Sequence, residues 1–260
     1  MANNHHAKDF KLVWVATVPR TGSMWCYNIT RAILKELGYN VLPDQIPQSD
    51  RSMFELADAG LRDPNPLNIW TLKIHSRLKY DVPRSRIMST FRDPRDSMIS
   101  FMRFMRCDFD QALGATVRAT GYYDYIREFP AEVLLCLKYK DIVDCPHEVV
   151  RSITRHLGGA IAPDAVEKIV ANHSKQQVAG RIAAIEADLR RRETSGKGVL
   201  PGEVVHISST NQRAFDLHTG FQTGHTSDYQ DGEWAKYITD KQAKRMNDAL
   251  TPWLAKNGYL

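Results

Sequence analysis

The chain has 260 residues, 43% of them hydrophobic and 25% charged, which is a globular balance and excludes a disordered chain. Its formal net charge of +5 suits an anionic ligand, and equally a nucleic acid or an acidic membrane surface. No run approaches the roughly 18 apolar residues of a membrane span, the first six residues lack the apolar core of a signal peptide, and the scattered Cys26, Cys107, Cys136 and Cys145 form no C-x-x-C pair, so a cytoplasmic protein with reduced thiols is expected.

Residues 11–18 are rich in β-branched and aromatic side chains and predict a central strand. Residues 24–37 carry Ile29, Ile33, Leu34 and Leu37 on one helical stripe, with Gly38 placed as a C-cap. The stretch 43–68 contains Pro43, Pro47, Pro64 and Pro66 and reads as loop, interrupted by a short helix around 51–60. Strands are expected at 69–74, 86–91 and 133–138. Helices are expected at 95–106, 108–128 (one or two), 146–157, 163–172 and 175–193, and a last one at 239–256 with Thr239 as N-cap. The segment 194–202 is linker-like, but no strand-rich block follows it. The reading is therefore one domain spanning 1–260, with 1–10 a flexible tail and 194–230 a mobile loop region.

Strands alternating with helices imply an α/β fold whose parallel sheet is covered on both faces, with ligands at the C-terminal strand edge. Arg20, His75 and Arg92 all lie just beyond predicted strand ends and so converge on one cleft. The turn Pro19-Arg20-Thr21-Gly22-Ser23 leads from strand to helix, where free N–H groups favour an anion. Gly22 permits close backbone approach, Thr21 and Ser23 offer hydroxyls, and Arg20 a fork of donors. It is not the G-x-x-x-x-G-K-[ST] loop of nucleotide hydrolases. By itself it also fits a plain turn with a solvated arginine.

Arg92-Asp93-Pro94-Arg95-Asp96 forms a second such turn, with Ser100 one helical turn past Asp96. Arg92 with Ser100 is a sensible pair for one phosphate, whereas Arg95 and Asp96 read as an ion pair fixing the loop. Lys73 and His75 share one side of a strand, which suits proton removal beside an anionic reacting group. Met98, Phe101, Met102, Phe104 and Met105 read first as core and second as an acceptor pocket. Arg190-Arg191-Arg192 reads as a solvated helix face.

Pro19-Arg20-Thr21-Gly22-Ser23-Met24-Trp25 resembles the 5′-phosphosulfate loop of the sulfotransferases, P-[KR]-[SA]-G-[TN]-[TS]-[WL]. Arg92-Asp93-Pro94-Arg95-Asp96-x-x-x-Ser100 resembles the same family's 3′-phosphate motif, and Lys73-x-His75 its K-x-H segment. Tyr139-Lys140-Asp141-Ile142 is similar to the family's Y-E-D-L, and Ile153–Gly158 to the helix end after it. The resemblance implies a three-layer α/β/α fold with a central parallel β-sheet, of the P-loop NTPase-like kind. It implies transfer of a sulfuryl group from 3′-phosphoadenosine 5′-phosphosulfate to a hydroxyl or amine of a small-molecule acceptor, leaving adenosine 3′,5′-bisphosphate (PAP). No metal, nucleic acid or membrane partner is implied.

By that resemblance Arg20 contacts the sulfuryl group and leaving oxygen, and Thr21, Gly22, Ser23 and Met24 form the 5′-phosphate loop. Trp25 stacks on adenine, Tyr139 reaches its edge, and Arg92 and Ser100 hold the 3′-phosphate. His75 is the general base, with Lys73 beside the sulfuryl group. Met24 departs from the pattern by removing a hydroxyl. The family's C-terminal R-K-G-x-x-G-D-W is only partly present: Gly232-Glu233-Trp234 resembles its end or is a turn with a buried tryptophan, and Ser227-Asp228-Tyr229 stands where R-K-G belongs. His225, Arg213 and Lys236 are candidates to supply the missing contacts. The alternatives are a P-loop phosphotransferase, which the missing lysine argues against, and a non-catalytic nucleotide- or nucleic-acid-binding protein, which rests on the positive charge alone.

Overall fold

The computed structural model describes residues 10–78, 82–196, 202–208, 211–226 and 229–260. Residues 1–9 of the expected 1–10 tail and parts of the 194–230 segment, Ser227 and Asp228 among them, lie outside the described residues, whereas Phe10 is buried. Five strands form one parallel sheet: β1 (Leu12–Ala16), β2 (Asn40–Leu42), β3 (Asn68–Ile74), β4 (Ser85–Phe91) and β5 (Leu134–Lys138), in the order β2-β3-β1-β4-β5. Every residue of β1 is buried, as a strand with neighbours on both edges and helices on both faces requires.

Side-chain alternation along β1 sorts the helices into two layers. Trp14 packs on Phe54 of α2 (Asp50–Arg62), with ring centroids 5.6 Å apart and the planes tilted by 43°, so Leu12 and Trp14 face α2. Val15 is in register with Met88, whose sulfur receives the Thr30 hydroxyl of α1 (Ser23–Glu36), so Val13 and Val15 face α1. Beyond α1 on that face lie α6 (Pro146–His156) and α7 (Pro163–Asn172). On the α2 face, Phe91 packs on Tyr123 of α4 (Phe109–Ile126), which in turn packs on Trp253 of α9 (Asp240–Asn257). The result is the expected α/β/α sandwich around a parallel sheet. Among the described residues, no helix is long and apolar enough to cross a membrane.

The chain leaves β1 for the far edge at β2, returns to β3, then crosses to β4 on the other side of β1. That reversal opens a crevice at the C-terminal end of β1, where open α/β sheets take their ligands. Three elements depart from the sequence expectation. β2 is only three residues long, too short for a periodic signal. α5 (Tyr139–Asp144) is a short helix directly after β5. The 194–230 segment contains an antiparallel hairpin, β6 (Val204–Ser208) and β7 (Asn211–Ala214), where loop alone is expected. The four cysteines are free, and burial pushes the Cys26 thiol up to about 12. Residues 108–128 resolve into the single helix α4, capped by Asp108.

Candidate active site

The turn after β1 is fixed by hydroxyls. Thr21 Oγ1 donates to the Val18 carbonyl at 3.0 Å and lies 2.7 Å from Thr90 Oγ1 and 3.0 Å from Thr17 Oγ1. The Thr21 hydroxyl therefore ties the turn to the ends of β1 and β4, and the expected outward role passes to its neighbours. Arg20 has φ 70° and Gly22 φ 89°, so the chain folds back tightly and α1 begins at Ser23. A Cβ at Gly22 would sit 3.0 Å from the Tyr139 ring, so the position excludes side chains both by conformation and by space. No side chain caps α1, which leaves the N–H donors of its first turn to an anion.

At the end of β3, His75 Nδ1 lies 2.7 Å from the Thr17 carbonyl, which can only accept. The ring must donate there, so its lone pair sits on Nε2. That nitrogen meets Lys73 Nζ at 2.9 Å. Burial, then the Lys73 charge, hold the His75 imidazole well below its ordinary range and keep it neutral. Burial also lowers Lys73 to about 8, against the pull of Asp50. Asp50, the first residue of α2, accepts from the His75 and Ser76 N–H groups at 3.0 and 2.7 Å and fixes the strand end.

Beyond β4 the expected pairing changes. Ser100 lies in α3 (Pro94–Met105) and accepts from Arg20 Nε at 3.0 Å, so its partner is Arg20 and not Arg92. Arg92 Nε donates to Asp231 Oδ1 at 2.8 Å, NH2 donates to the same oxygen, and NH1 donates to the Arg20 carbonyl at 3.0 Å. Arg92 also lies over the Tyr139 ring, 4.3 Å from its centroid. The expected Arg95–Asp96 pair does not form. Arg95 binds Asp93 at 2.6 Å and lies over Trp234, while Asp96 is buried and accepts from the Tyr229 hydroxyl and the Gly232 N–H. Burial raises the Asp96 carboxyl above its ordinary range.

These groups line one cleft of about 1310 Å³, larger than a single drug-sized ligand needs. Arg20, Gly22, Ser23, Met24, Trp25, Lys73, His75, Arg92, Ser100 and Tyr139 all border it; the Thr21 side chain does not. Phe101, Phe104 and Met105 also line it, whereas Met98 is core. The Phe104 ring gathers three polar neighbours: Arg20 at 4.3 Å, Arg213 at 3.6 Å and the His225 ring at 5.6 Å. Burial, then Arg92, lower Arg20 to about 10. His225 thus sits with Arg20 at the His75 end of the cleft, and Lys236 pairs with Glu233 on the exterior. Neither contacts Arg92. On α8 (Lys175–Thr194), Arg190 and Arg191 are exposed, Arg191 and Arg192 bind Asp188, and Arg192 also binds Glu203, which fits a solvated face.

The sulfotransferase domain model matches residues 11–198. The chain belongs to the sulfotransferase family. Among solved structures this sulfotransferase is similar to mouse sulfotransferase SULT7A1 complexed with PAP, at 15% identity and a TM-score of 0.61, with 95% of this chain and 84% of that one covered. It is also similar to retinol dehydratase in complex with androsterone and the inactive cofactor PAP, at 14% identity and a TM-score of 0.58, with 94% and 80% covered. No curated protein matches the sequence.

Three carboxylates shape the site of this sulfotransferase without having been singled out for it from sequence. Asp50 had a signal, the Ser49-Asp50 pair ahead of a short helix. Asp96 was visible in its motif but assigned the wrong partner. Asp231 had none, because nothing local says that it reaches Arg92, 139 positions away.

Proposed function

We propose that this sulfotransferase takes its sulfuryl group from 3′-phosphoadenosine 5′-phosphosulfate and passes it to a hydroxyl or amine of an apolar small molecule, with His75 as general base. The observation that carries the reading is the bond from His75 Nδ1 to the Thr17 carbonyl at 2.7 Å. It leaves the Nε2 lone pair of a neutral imidazole in a cleft whose lining includes Arg20, Lys73 and Arg92. The residues fit a nucleotide donor: an uncapped helix start beside Arg20 for the 5′-phosphosulfate, Trp25 and Tyr139 as aromatic walls for adenine, and Arg92 beyond them for the 3′-phosphate.

His75 Nε2 takes the proton of the acceptor O–H or N–H as that atom forms a bond to sulfur. The bond from sulfur to the phosphate oxygen breaks, and its electron pair stays on the leaving phosphate. Arg20 and Lys73 stabilise that growing charge. Fixed cations in a water-poor site are more effective than the same cations in water, since no solvent must reorganise. Lys73 donates to His75 Nε2 in this structure, so it must turn toward the leaving oxygen before the acceptor can use that lone pair. On the acceptor side the lining includes Met24, Ile46, Phe101, Phe104 and Phe221, and this supports an apolar molecule with one polar reacting end. The androsterone in the retinol dehydratase complex is consistent with that reading.

Titration calorimetry with PAP and 5′-AMP tests the donor, and incubation with the phosphosulfate donor and a panel of phenols, sterols and amines tests transfer. PAP should bind at least about tenfold more tightly than 5′-AMP, a difference of about 1.4 kcal/mol. Equal binding of the two, both by the wild type and by a variant lacking the Asp231 carboxylate that pairs with Arg92, would remove the 3′-phosphate from the reading.

A further inference from the structure

Arg92, assigned above to the 3′-phosphate, already holds an anion from its own chain. Its side chain is 6% exposed and Asp231 is 37% exposed, so the carboxylate is the outer member of a pair that lines the cleft. Asp231 Oδ1 takes both Nε and NH2, the edge of the guanidinium fork that a phosphate would use, and NH1 is committed to the Arg20 carbonyl. The carboxylate is also held in place from both sides. Tyr229, two residues before it, donates its hydroxyl to Asp96, and Gly232, directly after it, donates its N–H to both Asp96 oxygens at 3.0 Å. Asp96 is buried in the first turn of α3, so the loop carrying Asp231 is pinned to a rigid element.

We propose that Asp231 is an internal competitor for the 3′-phosphate, a residue that sets how strongly this site prefers a 3′-phosphorylated nucleotide. The proposal rests on the donor reading above. One fork edge cannot serve two anions. A 3′-phosphate carries more charge than a carboxylate and can take the fork, but Asp231 must then rotate into solvent, and while it stays near it repels the newcomer. The selectivity that Arg92 confers is therefore reduced by the strength of the Arg92–Asp231 pair. The reduction applies equally to donor and to PAP, because both keep the 3′-phosphate, so Asp231 also speeds product departure.

The test compares PAP and 5′-AMP binding to the wild type, Asp231→Asn and Arg92→Ala, by calorimetry for affinity and stopped-flow fluorescence for PAP dissociation. Asp231→Asn should tighten PAP about tenfold and slow its dissociation by a similar factor, and leave 5′-AMP within about twofold. The 5′-AMP affinity doubles as a check that the cleft is folded in each variant. If the wild type prefers PAP, Arg92→Ala loses that preference, and Asp231→Asn leaves PAP unchanged or weaker, the competitor falls and the donor reading stands. If neither the wild type nor Asp231→Asn prefers PAP over 5′-AMP, both fall. A preference that appears only in Asp231→Asn supports both.

Discussion

At the scale of single residues, the proposed chemistry turns on protonation states. A base with an ordinary pKa would be partly protonated near neutral pH. His75 avoids this because burial first, and Lys73 second, disfavour the imidazolium, while the Thr17 carbonyl selects the tautomer. His75→Ala should lower turnover by about 10²–10⁴-fold and leave PAP affinity unchanged, as expected for a group acting on the acceptor proton. Wild-type turnover in that variant would exclude the role.

Lys73 sets the opposite limit. Lowered by burial from 10.5 to about 8, it loses its charge as pH rises through about 8. The plot of kcat/KM against pH should fall on its alkaline side near that value. In Lys73→Arg the limb should move up toward about 10, because a guanidinium holds its proton more strongly than an ammonium and Arg20, the next cation to titrate in the cleft, is lowered to about 10. An alkaline limb that stays near 8 in Lys73→Arg would assign it to another group. The Lys73–His75 pairing was legible in the sequence, since strand alternation puts i and i+2 on one side. The Asp50 and Asp231 contacts were not, because they join residues 25 and 139 positions apart that no local pattern connects.

Among the elements, legibility followed composition rather than burial, since only Leu137 of the five β5 residues is buried. β1, β3, β4 and β5 announced themselves as apolar runs. β2 was too short, and β7 has the polar composition of a loop, Asn211-Gln212-Arg213, although its partner β6 carries Val204, Val205 and Ile207. The helices were set by their stripes and caps: Thr239 does cap α9, through a reciprocal bond with Gln242. Helix α2 shows what sequence propensity misses. Gly60 sits inside it, where alanine is favoured by up to about 1 kcal/mol. Yet a Cβ there would lie 2.7 Å from the Trp70 ring and 2.9 Å from Leu12 Cδ2, so the glycine is what lets α2 lie against β3 and β1. Overpacking typically costs about 1–3 kcal/mol, and here it outweighs the propensity gain. Gly60→Ala should therefore lower the midpoint of urea unfolding. A raised midpoint would mean that α2 can shift outward freely.

For the molecule as a whole, the half-buried histidines act together. His75, His156, His173 and His225 are all lowered from 6.5, in each case chiefly by burial. A depressed base has a definite sign. Below about pH 6.5 the unfolded chain takes up protons that the native chain refuses, so the unfolding free energy falls as pH falls. Each histidine contributes at most about 1.4 kcal/mol per pH unit, at pH values where the unfolded ring is charged and the native ring is not. Asp96 has the opposite sign, because its raised pKa lets the native state bind a proton first, but it is one group against four. Urea unfolding should therefore show stability dropping from pH 7.5 to 5.5. His156 allows the effect to be dissected without touching chemistry. It ends α6 outside the cleft lining, and its Nε2 is buried without a hydrogen-bond partner among the described residues. His156→Gln should flatten the slope by about one histidine's share while PAP affinity at pH 7.5 is unchanged. If stability were level from pH 7.5 to 5.5, these four rings would be titrating as they do in water, and the neutrality assigned to His75 would lose its support with them.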